Sequence, residues 1–491
     1  MLFNSWQFAL FFPVVTALFF ALPPRRRQYM LLAASCVFYM AFIPAYLLII
    51  LALIGIDYAA GLWIERAEGT RRRMYLLLSL VANVGMLAWF KYINFALSNA
   101  ALAWGFATHT PPASWHLDII LPIGLSFHTF QSMAYTIEVY KRRSPATRDL
   151  AQYALYVLFY PQLVAGPIER PQHLIHQLTL EEPFDYDRVT AGLQLMAWGL
   201  FKKMVIADRL AVVVAQVYDA PRQFGGPALA LGTVFFALQI FCDFSGYSDV
   251  AIGAAQVMGV KLMRNFDRPY SARSIAEFWQ RWHISLSTWF RDYVYIPLGG
   301  NRAARSRWFT NLLITFTVSG LWHGAKWTFV AWGALNGLYL IAEIMLAPAR
   351  ERLVVLTGLS RVPWLRAACG VAVTFTLICI AWVFFRANTF DDATFVLRRM
   401  FTDGAGWRGL AGGHFHAALN GLRNVTKFDL VFIAGVVGLM ETVHWLQRSG
   451  SVRTRIARQP WLVRWSLYYA VGWGILALGP QAPQQFIYFQ F

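Results

Sequence analysis

FTNLLITFTVSGLWHGAKWTFVAWGALNGLYLIAEIML, residues 309–346, holds only two formally charged side chains, Lys326 and Glu343. A soluble fold could not cover so long an apolar stretch without exposing it. At its middle, between Gly320 and Gly324, stand Trp322 and His323. An imidazole set among small and apolar neighbours needs a partner or a task.

The rest of the chain has the same character. Of 491 residues, 58% are apolar and 14% are charged, where soluble domains carry about 25% charged residues. Mean hydropathy is +0.45. These values exclude an ordinary soluble enzyme and a disordered chain. They predict a polytopic integral membrane protein, in contact with membrane lipids along much of its surface.

Net charge is +18, but its distribution argues against a nucleic-acid partner. Arginines gather between apolar segments, as at Arg25-Arg26-Arg27, Arg71-Arg72-Arg73 and Arg453 to Arg458. That pattern marks cytoplasmic loops under the positive-inside rule. Cys36, Cys242, Cys369 and Cys379 form no CxxC pair and read as small buried residues, not as a metal site or disulfide framework. The opening MLFNSWQFALFFPVV has no basic residue ahead of its apolar run, so it reads as a retained span.

Apolar runs follow in order. Trp6 to Leu22 comes first, then a pair within Tyr29–Glu65 broken at Pro44, then Met74–Leu97 and Ile119–Tyr140. Residues 153–165 are too short to cross comfortably and suggest a re-entrant or interfacial element ending at Gly166-Pro167. Longer runs cover about 190–218 and 228–260. Beyond 309–346 come 366–385, 428–446 and 465–479. The expected total is about ten to twelve spans in a single membrane-embedded domain, 1–491. Segment 264–307 differs: it carries eight arginines and three acids among tryptophans. It reads as a cytoplasmic-side interfacial segment.

No Walker A, dinucleotide fingerprint, HExxH or Gly-x-Ser-x-Gly elbow occurs. Two histidines stand apart from the ten. His323 is the candidate for proton transfer near neutral pH. His283 lies in FWQRWHISLS (278–287), where spacings of three and four put Trp279, Trp282 and His283 on one side of a helix. His109, His116, His173, His176, His414 and His416 read as loop residues, and His444 as lying near a span end. Nothing supplies a third metal ligand beside His283 and His323. Asp243 and Asp249, within CDFSGYSD (242–249), are costly in an apolar run unless they face protein, water or substrate. Helix glue and a functional role both remain open for them.

The stretches WQRWHISLSTWFRDYVYIPLGGNR (279–302) and FTVSGLWHGAKWTFVAWGALNG (316–337) resemble the membrane-bound O-acyltransferase family. So do ILPIGLSFHTFQSMAY (120–135), FYPQLVAGPIERP (159–171), FCDFSGYSDVAIG (241–253) and the final FIYFQF (486–491). The likeness extends over essentially the whole chain and is strongest to the bacterial branch that acetylates alginate.

That resemblance implies an all-α, polytopic membrane body, its spans joined by re-entrant or interfacial helices around a central tunnel. It implies catalytic roles for His323, the family's near-invariant position, and for His283, its second motif position. It further implies acetyl-CoA as a cytoplasmic donor with no tightly bound cofactor. The acceptor would be an exopolysaccharide or a partner hydroxyl, reached with the help of periplasmic polysaccharide-acetylation proteins across the inner membrane. Trp279, Arg281, Trp282, Ser285, Arg291, Asn301, Trp322, Asp243 and Asp249 are the candidates for substrate contact. The arginine forks suit coenzyme A phosphates; they equally suit a purely topological role. Cellulose acetylation and D-alanylation of a cell-wall polymer are alternatives with the same chemistry. A non-catalytic transporter or export scaffold is the alternative of another class.

Overall fold

The computed structural model describes residues 1–109, 115–179, 181–415, 419, 421–422, 426–479 and 486–487. Within them every regular element is helical. A helix satisfies its own backbone donors and acceptors, which is what an apolar environment demands. His416 and the last four residues of FIYFQF lie outside the described residues.

Among the described residues six helices are long and apolar enough to cross a membrane: Tyr46–Arg66, Gly69–Thr108, Gly226–Val257, Trp327–Leu356, Pro363–Arg386 and Phe428–Ser449. Trp6–Ala21 is a shorter apolar helix. Several of the other apolar runs are not single long helices. Residues 117–124 precede a helix of 16 residues, Leu125–Tyr140. Leu150–Leu158 is only nine residues long. From Phe159 the chain leaves the helix, yet Phe159, Tyr160, Leu163, Val164 and Ala165 are all buried.

The chain forms two compact units. The first comprises Met1–Trp198 and Tyr247–Met263. Its helices α1 (Trp6–Ala21), α2 (Pro24–Met40), α3 (Tyr46–Arg66) and α4 (Gly69–Leu87) follow the expected order, with the α2–α3 break at Pro44. A five-residue π-turn leads from α4 into α5 (Ile93–Thr108). Helix α6 (Leu125–Tyr140) packs on α3 and α4. Their seam is polar: the buried Asp57 carboxylate accepts from Ser79 Oγ at 2.6 Å and from Asn83 Nδ2 at 2.9 and 3.0 Å. These donors replace the water that the carboxylate lacks. Arg72, expected in a basic loop, is buried and donates to the Val139 and Tyr140 carbonyls. It thereby satisfies the open end of α6, where a helix favours a cation.

The second unit comprises Gly199–Gly246 and Arg264–Phe491. It includes α7 (Asp208–Asp219) and α8 (Gly226–Val257) as far as Gly246. The two short helices α9 (Ile275–Arg281) and α10 (Ile284–Phe290) precede the long pair α11 (Arg305–His323) and α12 (Trp327–Leu356). Helix α13 (Pro363–Arg386) packs on α12. Ser274 caps α9 by accepting from Glu277 N, and Pro363 starts α13 at a position that needs no donor. The run 309–346 thus folds into α11 and α12, with Gly324 just after the end of α11.

Candidate functional site

His323 is the last residue of α11, four residues before α12 begins at Trp327. Its position depends on how closely the two helices meet. A Cβ at Gly320 would lie 2.3 Å from the Phe329 carbonyl oxygen, and one at Gly333 2.3 Å from that of Phe316. Only glycine permits this backbone approach. The His323 ring then sits among aromatic rings, with centroids at 4.8 Å from Trp322, 5.0 Å from Trp332 and 5.4 Å from Phe385. It is 4% exposed.

His283 is placed differently from the expectation. Helix α9 ends at Arg281, Trp282 is extended, and His283 takes a left-handed conformation (φ 42°) as the N-cap of α10. Trp279, Trp282 and His283 therefore do not share one helix face, because the helix stops between them. Two backbone bonds hold this corner beside residues 265–267: Asp267 N to Arg281 O and Ile284 N to Asn265 O, both 2.9 Å. The His283 ring meets Phe244 edge-on at 4.6 Å, and its Nδ1 lies 3.1 Å from Asn265 Oδ1. Burial drives the imidazole down to about 3, so it is neutral at physiological pH.

A chain of rings connects the two histidines. Trp332, beside His323, stacks on Trp382 at 5.8 Å. Trp382 lies 5.1 Å from Trp282, and Trp282 lies 5.1 Å from Phe266, which faces His283 at 6.4 Å. Trp279 joins from the side, 5.8 Å from Trp332. The structure thus brings His323, His283, Trp279, Trp282 and Trp322 into one aromatic assembly.

The other candidates divide. Ser285 belongs with His283: it is fully buried and its hydroxyl donates to Asn265 Oδ1 at 2.9 Å. The Arg281 guanidinium is engaged by Glu277 and by Ser271 Oγ, so its fork is already committed. Arg291 pairs with Asp292, and Asn301 is exposed in a single 3-10 turn. Asp243 is buried with Lys203 Nζ 2.8 Å from its Oδ1, while its Oδ2 accepts from Ile487 N at 2.8 Å. Asp249 is half-buried in the part of α8 that belongs to the first unit. A small cleft beside this assembly is lined by Phe241, Arg268, Tyr270, Ser271, Glu441 and His444. Among the described residues no group of three or more His, Cys, Asp or Glu is placed to hold a metal.

Sequence reasoning missed Asn265, Lys203, Trp332, Trp382 and Phe385. Lys203 carried a usable signal, a cation within the apolar run 190–218. The aromatic residues carried none, since they read as ordinary core.

The profile of the MBOAT, membrane-bound O-acyltransferase family, matches residues 74–386. The chain belongs to this family. The match takes in His283, His323 and the whole aromatic assembly. Among curated relatives, the probable alginate O-acetylase of Pseudomonas aeruginosa is 38% identical over 82% of this chain and 75% of its own length. The probable alginate O-acetylase of Pseudomonas putida is 35% identical over 100% of both chains. The peptidoglycan O-acetyltransferase of Helicobacter pylori is 31% identical over 94% of this chain and 91% of its own. As a family member, the protein is a polytopic membrane acyltransferase.

Proposed function

We propose that this protein is an O-acetyltransferase that takes acetyl from cytoplasmic acetyl-CoA and passes it across the inner membrane to an exopolysaccharide, with alginate as the polymer. The observation that carries this reading is the end-to-end likeness to a probable alginate O-acetylase, 35% identical over all of both chains. Peptidoglycan is the second polymer to consider, favoured by the 31% identity to the Helicobacter pylori enzyme. The transporter reading has no such support.

His323 serves as the base. An acceptor hydroxyl attacks the thioester carbonyl carbon, and the imidazole takes the hydroxyl proton as the new carbon–oxygen bond forms. The tetrahedral intermediate then expels the thiolate of coenzyme A, which recovers the proton. Such proton transfer contributes about 10²- to 10⁴-fold to rate. The aromatic walls around His323 limit access of water, which would otherwise compete for the thioester. His283 orients the reacting groups. The basic segment 264–307 meets the coenzyme A phosphates. The immediate acceptor is a sugar hydroxyl or a hydroxyl on a periplasmic acetylation protein.

The test is mass spectrometry of exopolysaccharide, peptidoglycan and periplasmic acetylation proteins from three strains: wild type, deletion, and His323→Ala at matched membrane level. Loss of acetyl from the exopolysaccharide in the last two supports the reading. Unchanged acetyl content in the deletion strain overturns it, and unchanged content in the His323→Ala strain alone removes His323 from the mechanism. Loss confined to peptidoglycan selects the second polymer.

A further inference from the structure

Acyl transfer assigns His283 an orienting task without saying which of its nitrogens carries the proton. The surroundings of that ring decide it. Three groups converge on the side-chain oxygen of Asn265: Ser285 N at 3.3 Å, Ser285 Oγ at 2.9 Å and His283 Nδ1 at 3.1 Å. A backbone N–H is always a donor. The atom it meets is therefore the carboxamide oxygen, and the Asn265 amide cannot be turned the other way without losing that bond. The Ser285 hydroxyl gives its proton to the same oxygen, since its distance to His283 Nδ1 is 3.5 Å against 2.9 Å to Oδ1. An unprotonated Nδ1 would set a nitrogen lone pair against an oxygen lone pair at 3.1 Å. Nδ1 therefore carries the hydrogen and donates it to Asn265.

A neutral imidazole has a single N–H. With that hydrogen on Nδ1, Nε2 bears a lone pair. We propose that Asn265 is a positioning residue that fixes His283 as the Nδ1–H tautomer, so that His283 meets the substrates as a hydrogen-bond acceptor. The group it addresses carries an O–H or N–H. Donation from His283 to the developing oxyanion is excluded. Backbone geometry supports the same arrangement. The left-handed conformation of His283 is uncommon for a residue with a side chain, and the bond from Ile284 N to Asn265 O holds it there at 2.9 Å. One residue, Asn265, thus uses its main chain to turn the corner and its side chain to set the tautomer.

The proposal rests on the acyl-transfer reading for its consequence, but its core is a tautomer that can be measured alone. The full-length protein, labelled with ¹⁵N-histidine and reconstituted in lipid nanodiscs, is compared by NMR with His283→Gln to assign the His283 signals. The expected result is an Nδ1–H tautomer in the wild type that is lost or mixed in Asn265→Ala. In parallel, membrane vesicles are assayed for turnover of labelled acetyl-CoA. Asn265→Ala is expected to lose about 30-fold or more at normal membrane level. Asn265→Asp, which keeps an acceptor oxygen, is expected to recover most of that loss. A wild-type His283 protonated at Nε2 overturns the proposal, as does an Asn265→Asp variant no better than Asn265→Ala. A wild-type protein that does not turn over acetyl-CoA would instead overturn the acyl-transfer reading and leave the tautomer result standing.

Discussion

Lys203 Nζ lies 2.8 Å from Asp243 Oδ1 with both side chains almost wholly buried. Asp208 Oδ1 is equally close to the same ammonium, at 2.8 Å. One cation therefore serves two buried carboxylates in the second unit. Removing one partner of a buried pair costs roughly 3–5 kcal/mol, because the other charge is left without compensation. Lys203→Met should lower the unfolding midpoint of the purified protein sharply, and Asp243→Asn should do so less. A Lys203→Met protein as stable as wild type in a thermal scan would show that the cluster contributes nothing.

The Asp243 carboxylate also holds the chain end, through Ile487 N at 2.8 Å. Phe486 lies 5.7 Å from Phe244, and Phe244 packs on His283. Deleting residues 486–491 should reduce acetyl transfer several-fold with little effect on membrane abundance. Immunoblotting alongside acetyl quantification separates the two effects. Equal activity with and without the segment would remove it from the site.

Gly320 and Gly333 let α11 and α12 meet backbone to backbone. Gly320→Val forces a side chain into the space of the Phe329 carbonyl and should cost about 1–3 kcal/mol as overpacking. The strain falls three residues before His323, so turnover of acetyl-CoA should drop by about 10-fold or more even in the protein that remains folded. Specific activity per folded molecule, measured after size-exclusion chromatography, checks this. Undiminished specific activity would mean that His323 tolerates a shifted helix end.

His173, in the short helix Pro171–Leu174, has its Nδ1 2.6 Å from Glu169 Oε2. The hydrogen bond that the ring donates to the Glu169 carboxylate raises the imidazole above its ordinary value of 6.5. The folded form therefore binds the proton more tightly than the unfolded chain. Its stabilising effect is fully present below about pH 6.5, the unfolded value. It is lost as pH rises through the higher folded value. His173 is 45% exposed, so solvent weakens the effect. The difference in melting temperature between wild type and His173→Ala should be largest at acid pH and shrink as the pH rises above about 6.5. A difference independent of pH would assign the contact to packing alone.

Much of the organisation was legible from residue type and order. The apolar runs marked α3, α8, α12 and α13 because burial in lipid is written into composition. The motif residues His283 and His323 stood out because an imidazole among apolar neighbours is locally anomalous. The expectation failed at Trp282, where periodicity suggested a continuous helix. Helix spacing does not register a corner that is held by bonds to residues 265–267. Nor does an apolar composition register the π-turns and buried coil that interrupt several of the runs.

The sequence by itself determined that the chain lives in a membrane, that it is helical, and which two imidazoles are candidates for chemistry. These follow from local hydropathy and side-chain identity. Only the tertiary structure decided that Asn265 stands 3.1 Å from His283 and that Trp332, Trp382 and Trp282 connect it to His323. The reason is physical: those partners lie apart along the chain, and ring contacts and hydrogen bonds depend on how helices pack, which no local pattern records.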